Sequence, residues 1–551
     1  MPKITINGKE IEFQKGQTIL QVALDNEIEI PHYCYHPGLS IVANCRICLA
    51  EVWGPNPKTG QLEAIPKLLP TCQTTCGENQ VVYTDSPKAI ANQKSVMEYL
   101  LINHPVDCAV CDQAGECHLQ DYSYQYGRSQ ARFAEQKIKQ PKKDVGEHVL
   151  LYSDRCIMCT RCVRFTREVT GTGELLVTGR GAFEQIDVFP GIPVNNELSA
   201  NVIDICPVGA LLDKDFLFQQ RVWFLEKTPS IDGITASGDN ISIEHNKGII
   251  YRIKPRTNMD VNKWWITDEV RYGWKHVHSD QRLIIPVVKG EDPFEPTEAP
   301  LAYEAAYATM NERLSNSKRV ALMISPMLSC EDAYLLASYV LSIDPNAVLA
   351  VGPVPQHGQD KTFPGGFKLC AEKAPNARGV RRVLSKLASA KTVLEFDAFV
   401  AMLKKDPKID ALILTGNYPS NWATAALLEA IEAGRNRFVA LIDTLRSRLC
   451  DRADVIIPGA TWAEKAGTFE NANNRLQAFE RAIEPIDFTK CEGQIALDLA
   501  AVRAGGQPPI YRSATVHRLM AEAHGMTEMM RDVHFSLALH EVESDMALVE
   551  L

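Results

Sequence analysis

The distribution of cysteine is the feature that most limits what this chain can fold into. Of the 16 cysteines in 551 residues, 12 lie in residues 1–206 and four in all the rest. A secreted disulfide-bonded domain of this density would be short and would follow a signal peptide. This chain is long and its first residues enter a strand pattern at once, so we expect no signal or transit peptide. Clustered cysteines in a reducing compartment are therefore predicted to be metal ligands.

Composition and charge exclude several other classes of protein. Hydrophobic residues make up 45% of the chain and charged residues 23%, which is typical of globular domains. The length predicts about three or four such domains. The net charge of −10 argues against nucleic-acid binding by the chain as a whole. The most apolar stretch, residues 334–351, is interrupted by Asp344-Pro345, so no membrane-spanning helix is predicted.

The start of the chain predicts a small mixed sheet with one helix. Residues 3–13 alternate in polarity around Asn7-Gly8, a dipeptide that favours the two-residue type I′ turn of a hairpin. Residues 18–26 then have the apolar spacing of a short helix. Because the hairpin and the helix lead directly into the first cysteine, we predict a ferredoxin-like β-grasp module.

The first cysteine set has the spacing Cys34-x10-Cys45-x2-Cys48-x23-Cys72. Plant-type ferredoxins hold a 2Fe-2S cluster with a close cysteine group and one distant partner, and this set follows that arrangement with a wider first gap. The fourth ligand stays open between Cys72 and Cys76, which lies four residues further on. A zinc site with four cysteine ligands is the alternative for this set.

The second set follows a well-marked helix. This helix is predicted at residues 86–103, where a serine and a proline mark its start. It ends at His104, because the residue before a proline disfavours helical backbone. Three closely spaced cysteines can bind three corners of a 4Fe-4S cube, and His104 is within reach as the fourth ligand. Two alternatives stay open: His104 as a cap of the helix end, and His118 as the competing imidazole. The full spacing is His104-x3-Cys108-x2-Cys111-x5-Cys117.

The third set is the most specific signal in the sequence. It has the bacterial-ferredoxin pattern of a 4Fe-4S cluster, Cys156-x2-Cys159-x2-Cys162, with Cys206-Pro207 after 43 further residues. Only one complete set of this kind is present, so the late cysteine is predicted to close the same cube. Three arginines flank the set, and they either offset the negative charge of the cluster or are ordinary solvated side chains. These are Arg155, Arg161 and Arg164.

Later in the chain, strands alternate with helices, which predicts a parallel α/β sheet. The predicted strands are residues 319–325, 347–352, 410–415, 438–443 and 455–458. A helix is predicted at 331–341, and a hairpin is predicted to turn at 246–248. The remaining cysteines are single and are predicted to be small buried hydrophobes; they are Cys76, Cys330, Cys370, Cys450 and Cys491.

Three strings of sequence carry a resemblance to a known family: NHPVDCAVCDQAGECHLQD at 103–121, DRCIMCTRCVRF at 154–165 and NVIDICPVGALL at 201–212. They resemble the large iron–sulfur subunit of respiratory complex I, NADH:quinone oxidoreductase. The resemblance implies that His104 is a ligand, and it favours Cys72 over Cys76 because LPTC looks like the usual context of the family.

The same resemblance implies three clusters and their ligands. One 2Fe-2S cluster is expected at Cys34, Cys45, Cys48 and Cys72. One 4Fe-4S cluster is expected at His104, Cys108, Cys111 and Cys117, and a second at Cys156, Cys159, Cys162 and Cys206.

The C-terminal part is similar to the molybdopterin-oxidoreductase fold, which this subunit family carries without the catalytic cofactor. The strings are KAPNARGVRRVL at 373–384, GNYPSN at 416–421 and DRADVIIPGATWAEKAGTFENANNRLQ at 451–477. Some members hold an additional 4Fe-4S cluster after the third set, but this chain has no cysteine between 207 and 329, so that cluster is expected to be absent. Asn474 stands where active molybdopterin enzymes usually have glycine, so no molybdopterin is expected.

The patterns and the resemblance together predict an α+β ferredoxin-like region followed by an α/β region, in five domains. These are a 2Fe-2S β-grasp domain at 1–85, a 4Fe-4S domain with one histidine and three cysteine ligands at 86–150, a ferredoxin-like 4Fe-4S domain at 151–220, a small β-rich domain without cluster ligands at 221–300, and a molybdopterin-oxidoreductase-like domain without active cofactor at 301–551.

The resemblance implies an electron-transfer subunit that takes electrons from an NADH- and flavin-binding partner and passes them towards quinone-facing partners, while the whole complex translocates protons. No Gly-rich dinucleotide motif is present, which fits a relay without its own NADH site. The implied partners are other peripheral-arm subunits and no nucleic acid, with contact to the membrane only through the complex, on the cytoplasmic side of a bacterial inner membrane.

Three alternatives stay open. The first is a catalytic molybdopterin oxidoreductase, such as a formate dehydrogenase with an appended ferredoxin region. The second is the diaphorase module of a soluble hydrogenase, which accounts only for residues 1–210. The third is a zinc-stabilised scaffold protein.

Overall fold

The structure is a computed structural model that describes residues 1–56, 58–289, 299–388, 392–434 and 436–531. These residues form two compact units. Unit 1 comprises Met1–Leu225 and the short segment Phe363–Phe367, and unit 2 comprises Glu226–Thr362 and the described residues from Lys368 onward. The predicted boundary at residue 300 lies two residues after the range 290–298, which is outside the described ranges, and the finer division into five domains stays a prediction. None of the described helices is long and apolar enough to cross a membrane.

Unit 1 is built from short elements. Its strands are β1 (Lys3–Ile6), β2 (Lys9–Glu12), β3 (Leu49–Pro55), β4 (Leu62–Ala64), β5 (Leu69–Pro70), β6 (Gln80–Tyr83), β7 (Lys142–Asp144), β8 (Val149–Tyr152), β9 (Leu175–Thr178), β10 (Gln185–Val188) and β11 (Leu211–Asp213). Its α-helices are α1 (Ile19–Asp25), α2 (Pro87–Asn103), α3 (His118–Tyr126), α4 (Arg161–Arg164) and α5 (Asn201–Asp204). Helix α4 continues into a stretch of π-helix at Phe165–Val169.

The N-terminal strands form one mixed sheet beside helix α1. The strand order is β2-β1-β6-β3-β4, and β1 runs parallel to β6 but antiparallel to β2. The turn between β1 and β2 consists of Asn7 (φ 49°) and Gly8 (φ 83°), the two left-handed positions of a type I′ turn. Thr18 caps α1 by accepting a hydrogen bond from the backbone of Gln21. The predicted β-grasp arrangement and its hairpin are confirmed.

Helix α2 has the predicted limits. The Ser86 side chain accepts a hydrogen bond from the backbone of Ala89, and the chain leaves the helix at His104 with extended backbone (φ −62°, ψ 127°). Lys137 Nζ donates to the last carbonyls of the helix at 2.8 and 2.9 Å. A cation at this end satisfies carbonyls without an intrahelical partner and faces the negative end of the helix dipole. His104 therefore leaves α2 at a fixed point.

The later strands of unit 1 bring together the two ends of the third cysteine set. Strand β8 lies between β7 and β11 and pairs antiparallel with both. Cys156 follows the end of β8 within four residues, and Cys206 precedes the start of β11 by five. The pairing of β8 with β11 therefore returns the chain to the same place after the long gap.

Unit 2 is larger and more regular. Its strands are β12 (Glu226–Ile231), β13 (Asn240–Asn246), β14 (Ile249–Pro255), β15 (Val287–Val288), β16 (Val320–Ile324), β17 (Val348–Val351), β18 (Lys361–Thr362), β19 (Lys368–Leu369), β20 (Ala411–Thr415), β21 (Phe438–Asp443), β22 (Val455–Pro458), β23 (Gly467–Glu470) and β24 (Leu476–Phe479). Its α-helices are α6 (Asp268–Tyr272), α7 (Ala299–Ser315), α8 (Cys330–Ile343), α9 (Ala377–Leu387), α10 (Phe396–Lys405), α11 (Ala425–Glu432), α12 (Glu492–Ala504), α13 (Ser513–Ala523) and α14 (Thr527–Arg531).

The core of unit 2 is a six-stranded sheet with the order β15-β22-β21-β20-β16-β17. All neighbours from β22 to β17 run parallel, and the edge strand β15 is antiparallel. Successive residues of the central strands enter two different hydrophobic clusters, since helices cover both faces of the sheet. The predicted parallel α/β sheet is confirmed, and its five predicted strands correspond to β16, β17, β20, β21 and β22.

The smaller predictions for unit 2 have mixed outcomes. The predicted hairpin is formed by β13 and β14, and its turn consists of Lys247 (φ 50°) and Gly248 (φ 79°). Cys330 is buried as predicted, with its Sγ 3.6 Å from the Asn376 side chain. The other four single cysteines are only partly buried.

Unit 2 also buries a cation between two carboxylates. Lys465 Nζ lies 3.0 Å from Asp332 Oδ2 and 2.5 Å from Glu492 Oε2, and all three side chains are almost inaccessible. Burial lowers the pKa of Lys465, but the attraction of the two carboxylates outweighs burial and leaves this pKa above its ordinary value. Because the carboxylates stand in the first turns of α8 and α12, Lys465 fastens these two helices together.

Helix α13 is held by one buried ion pair. His517 Nδ1 lies 2.8 Å from Glu331 Oε1, and His517 Nε2 lies 3.1 Å from the carbonyl oxygen of Met529. Burial disfavours the imidazolium, but the hydrogen bond and the charge of Glu331 outweigh it, so the pKa of His517 is raised above its ordinary value. The fold therefore favours the charged form of this histidine.

We expect the docking of α13 to weaken as the pH rises. Since the folded-state pKa of His517 lies above the unfolded value of 6.5, its contribution is complete below that pH and is lost as the pH rises through the folded pKa. Amide exchange of α13, corrected for the intrinsic effect of pH, measures the loss. His517→Gln should lower the local stability by about 1.5–3 kcal/mol at acidic pH and abolish the pH dependence. An unchanged pH dependence in this variant would contradict the role of His517.

Candidate metal centres

The four sulfur atoms of the first set meet at one place. The Cys34 thiol is close enough to the thiols of Cys45 and Cys72 for each to shift the pKa of the other, and the Cys72 thiol is coupled in the same way to that of Cys48. Sharing of protons within the group lowers the pKa of Cys34 and raises the pKa of Cys45 and of Cys72. Cys76 lies outside the group, since burial alone acts on its thiol and raises its pKa to about 11.

The loop of the first set is shaped to direct backbone N–H groups at sulfur. The N–H groups of Asn44 and Cys45 donate to the Cys34 thiol, and both neighbouring residues, Ala43 (φ 50°) and Arg46 (φ 59°), have left-handed backbone. Such backbone is costly for residues other than glycine and persists where the surroundings hold it. Here Asn92 on α2 donates to the Arg46 carbonyl at 2.9 Å. The loop is therefore held in a conformation that suits a thiolate ligand.

The second set lines one small cavity. His104 enters it from the end of α2, and Cys117 from the residue that precedes α3. His118 is not among the residues that line this cavity. The predicted ligands that do line it are His104, Cys108, Cys111 and Cys117.

The charges around the second set suit a metal ligand at His104. Burial lowers the pKa of this imidazole to about 4, with Arg155 and Lys137 adding to the effect, so the ring is neutral at physiological pH. Its buried Nδ1 atom has no hydrogen-bond partner in the part of the chain that the structure describes. A neutral imidazole with an unpartnered buried nitrogen fits a ligand position better than a helix cap.

The thiol of Cys117 lies at the N-terminus of α3. Burial raises its pKa to about 11, while the backbone N–H groups of Leu119 and Gln120 donate to the sulfur and act in the opposite direction. Helix N-termini favour negative charge, so this position is suited to a bound thiolate.

The third set lines a second small cavity, and most of the remaining wall is apolar. The Met158 backbone donates to Cys156 Sγ at 3.3 Å, and left-handed backbone at Met158 (φ 55°) and Thr160 (φ 60°) turns the loop towards sulfur. Burial raises the pKa of the Cys159 thiol to about 11. The predicted ligands that line this cavity are Cys156, Cys159, Cys162 and Cys206.

The surroundings of the predicted ligands suit iron–sulfur clusters. In a 4Fe-4S cluster each protein ligand binds a different iron atom, and in a 2Fe-2S cluster two ligands bind each iron atom. Backbone N–H groups donate to sulfur in all three sets, and the second and third sets each line a cavity.

The three flanking arginines are buried, so their interpretation as ordinary solvated side chains is wrong. Arg155, Arg161 and Arg164 are 3%, 6% and 8% exposed. Arg161 donates to the carbonyls of Tyr35 (2.6 Å) and Ile205 (3.3 Å). Arg164 likewise donates to the carbonyls of the predicted ligands Cys34 (2.6 Å) and Cys159 (3.3 Å). The last two arginines therefore tie the first set to the third.

Buried polar side chains bond to one another beyond the carboxyl ends of the strands of the parallel sheet in unit 2. Open α/β sheets bind ligands where the strand order reverses, beyond the carboxyl ends of the strands, here β16 and β20. The buried Tyr418 hydroxyl donates to the carbonyl of Pro353 at 2.7 Å, and Trp422 Nε1 donates to Asp443 Oδ2 at 2.8 Å. Asp443 also accepts from the backbone of Asn417 at 2.8 Å. These contacts stabilise the fold at the place where a cofactor would bind.

Asn474 is exposed in the turn between β23 and β24, with left-handed backbone (φ 58°) of the kind that glycine adopts most readily. The comparison with glycine at this position therefore has a physical basis, and the absence of molybdopterin stays a prediction.

Comparison with family models gives five matches along the chain. They are "2Fe-2S iron-sulfur cluster binding domain" at residues 2–87, "NADH-ubiquinone oxidoreductase-G iron-sulfur binding region" at 93–132, "NADH-quinone oxidoreductase subunit 3, ferredoxin-like domain" at 146–212, "NADH-ubiquinone oxidoreductase NDSU1/NuoG-like, 4Fe-4S domain" at 225–275 and "Molybdopterin oxidoreductase" at 384–502. All twelve predicted ligands fall within the first three matches. The fourth names a 4Fe-4S domain, although the sequence has no cysteine between 207 and 329.

Curated relatives agree with these matches. The mitochondrial NADH-ubiquinone oxidoreductase 78 kDa subunit of Neurospora crassa is 40% identical over 498 residues, which are 89% of this chain and 58% of that protein. The NADH-ubiquinone oxidoreductase 75 kDa subunit of Reclinomonas americana is 34% identical over 78% of this chain and 54% of that protein. An NADH-quinone oxidoreductase subunit of Rickettsia felis is 35% identical over 63% of this chain and 50% of that protein.

The chain is homologous to the large iron–sulfur subunits of NADH:quinone oxidoreductase. The resemblance predicted from the cysteine strings is thereby confirmed, together with the 2Fe-2S and 4Fe-4S classes of cofactor. The chain spans about half the length of the curated relatives it matches. A chain of an NAD+-reducing NiFe hydrogenase covers 40% of this chain at 26% identity, with a TM-score of 0.34 that is too low to establish a shared fold.

We expect Gly209→Ala to disturb the second cluster selectively. A Cβ atom at Gly209 would overlap with Cys111 Sγ and would lie 3.1 Å from Gln113 Cβ, so the ligand has to move. Iron content should fall from about ten to about six atoms per chain, the loss of one 4Fe-4S cluster. Gly506→Ala is the matched control, since its added Cβ meets nothing within 4 Å. Full iron content in Gly209→Ala would contradict the proximity of Gly209 and Cys111.

Proposed function

We propose that this chain is an electron-relay subunit of an NADH:quinone oxidoreductase. Electrons enter from an NADH- and flavin-binding partner subunit and leave towards quinone-facing partners, while the whole complex translocates protons. The observation that carries the proposal is the convergence of three predicted ligand sets in one compact unit, at one mutual group of thiols and two separate cavities. The chain has no dinucleotide motif of its own, which suits a relay.

The proposed ligands are those that the sequence predicts. They are Cys34, Cys45, Cys48 and Cys72 for the 2Fe-2S cluster, His104, Cys108, Cys111 and Cys117 for one 4Fe-4S cluster, and Cys156, Cys159, Cys162 and Cys206 for the other. The separation of Cys76 from the first thiol group supports Cys72, and the position of His104 in the second cavity supports it over His118.

Contacts between the three ligand sets support an electron path from the first set through the third to the second. The first and third are joined by Arg161 and Arg164, and also by Asn44, which donates to the Met158 carbonyl at 3.3 Å. The third and second are joined where Gly209 meets Cys111. Iron–sulfur clusters supply the one-electron steps when bound. The protein encloses them, directs N–H groups at their sulfurs and brings neighbouring sets together.

The finer assignments of partners and location are part of the same proposal. The partners are the other peripheral-arm subunits, including the NADH- and flavin-binding subunit and the quinone-facing subunits. The chain is placed on the cytoplasmic side of a bacterial inner membrane, attached through the complex. Homology to subunits of NADH-ubiquinone and NADH-quinone oxidoreductases supports attachment through such a complex.

Metal analysis of the intact complex tests the assignment directly. We expect about ten irons per copy of this chain, from one 2Fe-2S and two 4Fe-4S clusters, after the irons of the partner subunits are subtracted. Cys72→Ala should lose about two of them, and the matched control Cys76→Ala should lose none. Stoichiometric molybdenum would instead favour a catalytic molybdopterin oxidoreductase, and zinc without iron would favour a scaffold.

His104→Cys should keep the second 4Fe-4S cluster but lower its reduction potential. A thiolate adds a negative charge relative to a neutral imidazole, and this charge disfavours the gain of an electron. Redox titration of the complex, followed by electron paramagnetic resonance, measures the potential of each cluster. His118→Cys is the control and should shift none of them. The same potentials in His104→Cys and the unmodified protein would exclude His104 as a ligand.

A further inference from the structure

Arg155 is adjacent in sequence to the third set, but its side chain lies in the cavity of the second. It precedes Cys156 directly, yet it lines the cavity formed by His104 and the three cysteines of the second set. The side chain is 3% exposed, and its Cδ lies 3.9 Å from the position of a Cβ on Gly209. The guanidinium also acts electrostatically on His104 and on Cys111. Position and charge both assign it to the second set.

The hydrogen bonds of Arg155 leave one donor unused. Its Nε and Nη2 donate to Asp107 Oδ2 at 3.3 and 3.0 Å, and its guanidinium stacks on the ring of Tyr152, 4.0 Å from the centroid. The Nη1 atom is buried without a hydrogen-bond partner in the described part of the chain. Buried charged donors are rarely left unpaired, because no water replaces the missing acceptor. An acceptor is therefore expected in the cavity itself.

The two other buried arginines differ from Arg155 in which nitrogen is left without a partner. Both Nη atoms of Arg161 donate to backbone carbonyls, and so do both Nη atoms of Arg164. Only the Nε atom of each is buried without a partner among the described residues, so the ends of these two guanidinium groups are used to fasten loops together. Arg155 instead is held by Asp107 and Tyr152, lines the cavity, and has a terminal Nη atom without a partner in the described ranges.

We propose that Arg155 donates this hydrogen bond to a sulfur of the cluster in the second set and raises its reduction potential. The acceptor is a bridging sulfide or the Cys111 thiolate, and either one accepts the hydrogen bond through a negatively charged sulfur. Reduction adds an electron to an enclosed negative group, and a nearby cation with an N–H···S bond stabilises the reduced form. Asp107 offsets only part of the positive charge of Arg155, since the Asp107 carboxylate is 36% exposed and screened by water. The inference rests on the proposed function.

The test is a redox titration of the assembled complex that carries Arg155→Met, followed by electron paramagnetic resonance. The second cluster is identified as the one whose potential moves in His104→Cys. Its potential should fall in Arg155→Met, with about a tenfold change in the reduction equilibrium, or about 59 mV for one electron. The third cluster should keep its potential, although its first ligand is the next residue. Arg167→Met removes the same charge from an exposed position and should shift neither cluster.

A second variant keeps the test decisive if Arg155→Met does not incorporate the cluster. Arg155→Lys retains the charge but loses the planar fork, so it should load the cluster and give a potential below that of the unmodified protein. An unchanged potential of the second cluster in both variants, or a shift of the third cluster instead, would overturn the role of Arg155. A complex in which this chain holds no clusters would overturn the proposed function itself, which separates the two failures.

Discussion

Burial of the sulfur ligands is the constraint on which the rest of unit 1 depends. A thiolate loses its hydration when it is enclosed, and burial raises the pKa of the thiols of both Cys117 and Cys159 to about 11. The enclosed negative charge has to be met by dipoles and cations of the protein. Unit 1 supplies them as backbone N–H groups directed at sulfur and as three buried arginines.

This requirement explains the irregular backbone around the ligands. An N–H group points at a nearby sulfur only where the chain turns sharply, so left-handed residues occur in the ligand loops, at Ala43, Arg46, Met158 and Thr160. Regular elements bound these loops and hold their ends in place. Helix α2 ends at His104, α3 begins after Cys117, and the pairing of β8 with β11 closes the third set.

Unit 2 meets its buried charges in the opposite way. Lys465 is paired with Asp332 and Glu492, and Asp443 accepts hydrogen bonds from the Trp422 side chain and the Asn417 backbone, so these charged groups are satisfied by neighbouring protein groups. A buried ion pair of this kind is strongly destabilised by loss of one partner, which favours a single rigid arrangement. Unit 1 instead has cavities that are lined by the predicted sulfur ligands.

The sequence by itself determined the ligand candidates, the β-grasp hairpin, the helix before His104 and the parallel sheet. These are local patterns, since a few residues of chain limit how far apart two ligands can lie and a dipeptide such as Asn7-Gly8 selects its own turn. Only the tertiary structure decided that Cys76 lies outside the first thiol group, that Asn474 is exposed, and which cavity Arg155 enters. The contact of Arg164 with the Cys34 carbonyl joins residues 130 positions apart. At such separations along the chain, the sequence does not limit the distance between two residues in space. Packing alone therefore decides which side chains meet.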